Sequence, residues 1–149
     1  MAKILTVTHT EFTVSDMDCT VAFWEMLGAK KIEEGYNNND TMGISVLGKE
    51  NHPHAEFKVV KLELGGHVIE LFQFLDPVTK PFHKDPSIAG NAHLAFLVDD
   101  LKEYVSELSE KGVKFLSEIN ADEKDGIPQV LWCNALDPDG IVVELQQTI

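Results

Sequence analysis

Four residues of this chain could together do metal chemistry: His9, Glu70, His93 and Glu144. Each glutamate sits between apolar neighbours, Ile69 and Leu71 in one case, Val143 and Leu145 in the other. Neighbours on a strand point to opposite faces, so each carboxylate projects away from the side that those residues pack. Neutral imidazole suits zinc, nickel, cobalt or iron, and carboxylate suits harder ions such as manganese. Two of each make a good site for one divalent ion. Taken singly, each is an ordinary half-buried polar residue. Four such side chains at matched positions on otherwise apolar strands are poorly explained by packing, because burying each unpaired costs on the order of a few kcal/mol.

The positions match because the chain repeats itself. Slid along itself by 84 positions (93 − 9), His9 falls on His93, Phe12 on Phe96, Val14 on Val98, Asp16 on Asp100 and Gly28 on Gly112. The 26 residues that begin at His9 hold eight identities at this offset. At an offset of 74 (140 − 66), Gly66–Leu71 falls on Gly140–Leu145, glutamate on glutamate. Each half therefore opens with a histidine and closes with a glutamate, as two fused units would. The shorter second offset places extra residues in the first half, and the polar run from Gly35 to Glu56 is where an insertion is tolerated.

The elements that must hold these residues can be read in order. Leu5 to Val14 alternates as a strand, with Phe12 and Val14 on one face and His9, Glu11 and Thr13 on the other. Ser15 and Asp16 offer cap oxygens to a helix through Met17, Val21 and Trp24 that stops at Gly28, and Asp100 to Gly112 repeats this. Short strands follow at 29–34 and 113–118. Hairpins come next: 57–64 with 67–74 through Gly65-Gly66, and 129–136 with 141–146 through Asp137-Pro138-Asp139-Gly140. The first half has room for one more short strand near Met42 to Leu47. Residues 1–75 form a first module, 76–90 a linker with three prolines, and 91–149 a second, together one α+β domain.

A net charge of −13 speaks against nucleic acid and anionic membranes as partners. All 12 basic residues are lysine, so the guanidinium fork that grips phosphates and carboxylates at two points is absent. Cys19 and Cys133 lack CxxC spacing and are expected to be buried thiols. With an N-terminus lacking a long apolar run, they predict a reduced, cytoplasmic protein without a membrane span.

These residues resemble the vicinal oxygen chelate superfamily, which includes glyoxalase I, methylmalonyl-CoA epimerase, extradiol dioxygenases and metal-free bleomycin-resistance proteins. The resemblance covers almost the whole chain, through His9–Asp16, Phe23-Trp24 before Leu27-Gly28, Glu70-Leu71, His93–Leu101 and Asp137–Leu145. It implies two βαβββ modules forming a half-open mixed-sheet barrel, one divalent metal (zinc, nickel, cobalt, manganese or iron) on His9, Glu70, His93 and Glu144, and a homodimer. The His/Glu/His/Glu set is similar to that of lactoylglutathione lyase and differs at one place from the epimerase pattern, which has Gln where Glu70 stands. Ring-cleaving dioxygenases show two His and one Glu, and a metal-free binder has no reason to keep all four. The expected reaction is removal of a proton alpha to a carbonyl, with Glu70 and Glu144 as catalytic candidates and Glu11 and Glu63 the next to consider. Val68, Phe72 and Phe74 share the Glu70 face and suit a largely apolar carbonyl or hydroxy-acid substrate. His52, His54, His67 and His83 are expected to be solvated.

Overall fold

A computed structural model of the chain describes residues 2–48, 54–80 and 87–149. The chain divides into two compact units, Met1–Pro81 and Phe82–Ile149, each built on one mixed sheet. In the first unit the order is β1 (Thr10–Thr13), α1 (Met17–Met26), β2 (Lys30–Asn37), α2 (Asp40–Leu47), β3 (Glu56–Leu64) and β4 (His67–Asp76). Its sheet runs β1-β4-β3-β2, with β1 parallel to β4 and the other pairs antiparallel. The second unit follows with β5 (His93–Leu97), α3 (Leu101–Glu110), β6 (Lys114–Phe115), β7 (Asn120–Lys124), β8 (Ile127–Leu136) and β9 (Val142–Thr148). Its sheet runs β5-β9-β8-β6, with β7 added on β8 and β5 parallel to β9. The fold is α+β, in two modules of the expected kind.

The helices start where cap chemistry places them. Asp16 Oδ1 accepts from Cys19 N and Asp100 Oδ1 from Glu103 N, both at 3.0 Å, and Gly28 and Gly112 then leave the helices at positive φ. Met17, Thr20, Phe23 and Trp24 turn inward from α1, with Val21 only half-buried, so the buried face is rotated from the one expected. Phe12 stacks on Trp24 with ring centroids 6.2 Å apart, and Val14, Ile69, Leu71 and Leu62 complete this core without exposure. Leu101, Leu108, Cys133, Ala135 and Val143 are likewise fully buried in the second unit.

One tie was not read from sequence. Gln73 Oε1 accepts from Met17 N (3.3 Å) while its Nε2 donates to the carbonyl of Ser15 (2.9 Å), and Gln147 Oε1 accepts from Leu101 N (2.9 Å). Each glutamine stands three residues after the glutamate of its last strand, at the same offset of 74 that relates the glutamates. It fastens that strand to the first turn of the helix that follows the histidine strand, satisfying an amide the helix itself cannot.

Several expectations are corrected. The segment near Met42 to Leu47 is helical, because Asn39 accepts from Thr41 N (2.8 Å) as an N-cap and Gly43 lets the helix lie against Ala55. A Cβ at Gly43 would stand 2.5 Å from the Ala55 amide nitrogen. The strand expected from Leu5 begins only at Thr10, and Ile4, Leu5 and Val7 are exposed. The strand expected at 113–118 shrinks to two residues, while the polar run 120–124, where no strand is expected, pairs with β8 through a turn at Asp125-Gly126, both at positive φ. Cys19 is exposed on the first turn of α1, whereas Cys133 is buried as expected. Among the described residues no helix is long and apolar enough to cross a membrane.

The turn into β9 carries a buried charge problem. Asp137 is 4% exposed, its Oδ1 accepts from Ile141 N (2.7 Å), and its Oδ2 has no hydrogen-bond partner among the described residues. Burial pushes its carboxyl up from 3.8 to about 6, against the backbone amide of Ile141 that favours the anion. The folded state therefore holds a proton that the unfolded chain has released between these values. The contribution is full below pH 4 and is lost as pH rises to about 6, amounting to about 2–3 kcal/mol. Asp137→Asn keeps the oxygen that accepts from Ile141 and should remove this component from the pH dependence of urea-unfolding stability. An unchanged slope between pH 4 and 6 would show that Asp137 ionises freely in the native turn.

Candidate metal centre

The two units build the same histidine–glutamate pair. His9 immediately precedes β1 and His93 opens β5, each strand lying parallel to the last strand of its unit. The register sets Glu11 against Glu70 and Ala95 against Glu144, so in both units the residue two beyond the histidine is the direct neighbour of the glutamate. Histidine and glutamate are then diagonal neighbours on one face, close enough for long side chains to meet. His9 Nε2 lies 3.2 Å from Glu70 Oε2, and His93 Nε2 lies 3.3 Å from Glu144 Oε2. The glutamate side chains are 13% and 16% exposed and the histidines 42% and 53%, so each pair opens to solvent on its imidazole side.

The surroundings of the two pairs differ. His9 Nδ1 meets the Thr8 hydroxyl at 3.2 Å, which leaves Nε2 to face Glu70. Lys61, opposite Glu70 on β3, places its ammonium 3.0 Å from Glu33 and 3.7 Å from Glu70. The hydrogen bond to Glu33 is the main reason its pKa is raised. Glu11 sits so that one oxygen of its carboxylate, one of Glu70 and a ring nitrogen of His9 all fall within 4.8 Å of one another. Burial and then the Glu70 charge push the Glu11 carboxyl up, against the pull of His9. Around Glu144 the neighbours are neutral: Gln146 Nε2 donates to its Oε1, and Asn134 stands opposite on β8.

The donors suit a divalent ion. Two ligands held about 2.1 Å from one ion, at tetrahedral to right angles, stand about 3.0–3.4 Å apart, and both His–Glu distances fall in that range.

The other expected residues have other work. Phe72 and Phe74 share the Glu70 face but are 7% exposed, packed with Phe57 and Ala55 beneath Leu47 of α2, so they fill core and do not line open substrate space. Glu63 Oε1 accepts from Gly66 N (2.7 Å) and closes the hairpin turn. His67 Nε2 meets the Thr10 hydroxyl at 3.0 Å, and His54 pairs with Asp40. His52 and His83 lie outside the described residues. The cavity between α1 and strands β2 and β3, lined by Lys31, Tyr36 and Lys58, includes none of the four candidate ligands.

Comparison with known proteins agrees with this fold. Residues 6–145 match the model of the glyoxalase/bleomycin resistance protein/dioxygenase superfamily, and the chain belongs to that family. It is 31% identical over 140 residues to uncharacterized protein YwkD of Bacillus subtilis, covering 93% of this chain and 94% of that one. Among solved structures it is similar to a glyoxalase family protein from Bacillus cereus, with TM-score 0.82, 22% identity, and coverage of 99% and 97%. It is also similar to the trypanothione-dependent glyoxalase I of Leishmania major, with TM-score 0.63, 23% identity, and coverage of 97% and 87%. At these identities the solved structures speak for the fold alone.

Lys61 competes with any cation for Glu70. Lys61→Gln should therefore tighten binding of Mn2+ about two- to five-fold in calorimetric titration, the worth of one part-exposed ion pair. Weaker binding would mean that Lys61 serves to orient Glu70.

Proposed function

We propose that the protein is a metal-dependent isomerase, epimerase or lyase that removes a proton alpha to a carbonyl, with one divalent ion held by His9, Glu70, His93 and Glu144. The observation that carries this reading is the duplicated His–Glu pair, at 3.2 and 3.3 Å on equivalent strands. A bound ion would supply positive charge where the substrate oxygen becomes negative. Within the protein, the histidines can only hold the ion, with the Thr8 hydroxyl fixing the His9 ring. A glutamate can hold it and also accept the proton, so Glu70 and Glu144 are the catalytic candidates. A ring-cleaving dioxygenase needs fewer ligands, and a metal-free binder needs none.

The substrate is a small carbonyl or hydroxy-acid compound of low negative charge. Lys61, the cation beside Glu70, is already paired with two carboxylates, and the chain has no arginine for a polyanion. The reading includes a cytoplasmic homodimer, with the four ligands supplied by one chain or by two, and neither nucleic acid nor membrane as partner.

Protein purified without chelators should carry metal, and His9→Ala or His93→Ala should lose metal and activity together. Glu70→Gln and Glu144→Gln keep a ligand oxygen but lose the base, so metal should stay while turnover falls about 100-fold or more, unequally for the two. Deuterium from solvent should enter the turned-over substrate. Oxygen uptake would instead identify a dioxygenase, and near wild-type turnover in both Gln variants would remove the glutamates from proton transfer.

A further inference from the structure

The two histidine–glutamate pairs are not equal, and the inequality lies at one position. In each unit the residue two beyond the histidine is the register neighbour of the glutamate on the same strand face. In the first unit that residue is Glu11 and in the second Ala95. We infer that Glu11 is a further protein ligand, so that His9, Glu11 and Glu70 of the first unit together anchor the proposed ion.

Charge supports the assignment. Like charges directly opposite on neighbouring strands destabilise a sheet, yet Glu11 and Glu70 are set side by side. The nearby cation, Lys61, is shared with Glu33. Three carboxylates against one ammonium leave two negative charges uncompensated, the charge of one divalent cation. Around Glu144 there is one carboxylate, served by the Gln146 amide. Geometry supports it as well, since the three donor atoms of His9, Glu11 and Glu70 already lie within 4.8 Å of one another. Ligation about 2.1 Å from one ion requires separations no greater than about 4.2 Å. Adding the Glu11 oxygen therefore needs only a rotamer adjustment of an exposed side chain. Ala95 has no donor atom at all. A second carboxylate on one side also makes the set harder, favouring manganese more than the original two-His, two-Glu set would.

This rests on the metal-site reading above, and the test separates the two. The full chain is titrated calorimetrically with Mn2+ alone and with Zn2+ alone, as wild type, Glu11→Gln, Glu11→Gln/Ala95→Glu and Ala95→Glu. Glu11→Gln should weaken Mn2+ binding about 100-fold, the upper end of what even outer-shell changes cost, and should weaken Zn2+ binding less. The double variant, with the carboxylate moved beside Glu144, should regain much of the Mn2+ affinity. Ala95→Glu alone, which leaves the first unit intact, should bind Mn2+ more tightly than wild type. If the wild type binds neither ion, the metal reading itself fails. If it binds and Glu11→Gln binds Mn2+ equally well, the assignment of Glu11 is overturned and the four-ligand reading stands.

Discussion

Each histidine–glutamate pair depends on one strand pairing, made twice: the first strand of each unit runs parallel to its last, in a register that sets the residue two beyond the histidine against the glutamate. A slip of one residue would turn one of the two side chains to the opposite face. The register is held by apolar packing and by hydrogen bonds at the strand ends. On the helix face of the first unit, Phe12 stacks on Trp24 of α1, and Val14, Ile69 and Leu71 are fully buried. At the strand ends, Val14 N bonds the carbonyl of Phe72 and Val98 N that of Gln146, both at 2.7 Å. Gln73 and Gln147 then tie the glutamate strands to the helix starts. Apolar packing thus fixes where the polar pair must point.

Because parallel strands cannot be joined by a tight turn, each unit must leave β1 or β5 through a helix and return across its sheet before the last strand can lie beside the first. That return is where the copies have diverged. The first unit inserts α2, which roofs the Phe57, Phe72 and Phe74 cluster, whose centroids are 4.9, 5.5 and 6.0 Å apart. The second inserts β7 on the outer side of β8, where Trp132 Nε1 donates to Asp122 at 3.0 Å. Neither insertion alters the histidine–glutamate geometry, which is what allows one fold to carry several chemistries.

The divergence reaches the charge environment as well. Glu70 has a carboxylate neighbour and a lysine, whereas Glu144 has amides. Two glutamates that occupy the same place in the repeat therefore do not face the same electrostatics.

Much of the framework was legible in the residues themselves. Cap signals at Asp16 and Asp100, glycines after each helix, the Gly65-Gly66 turn and alternation along β3 and β4 are local or short-range signals, which a sequence carries directly. The repeat added long-range information, because two copies that keep His and Glu at matched places point to a shared need. What sequence could not supply was decided by contacts between distant residues. Whether 42–47 became strand or helix turned on an Asn39 cap and the fit of Gly43 against Ala55, and polar 120–124 became a strand because β8 offered an edge to pair. Alternation along β4 puts Phe72 and Phe74 on the Glu70 face, but Leu47 packs against them and makes them core. The place of Glu11 was the least legible. Alternation put it on the histidine face, but only the register between β1 and β4, a pairing across nearly sixty residues of chain, set its carboxylate beside Glu70.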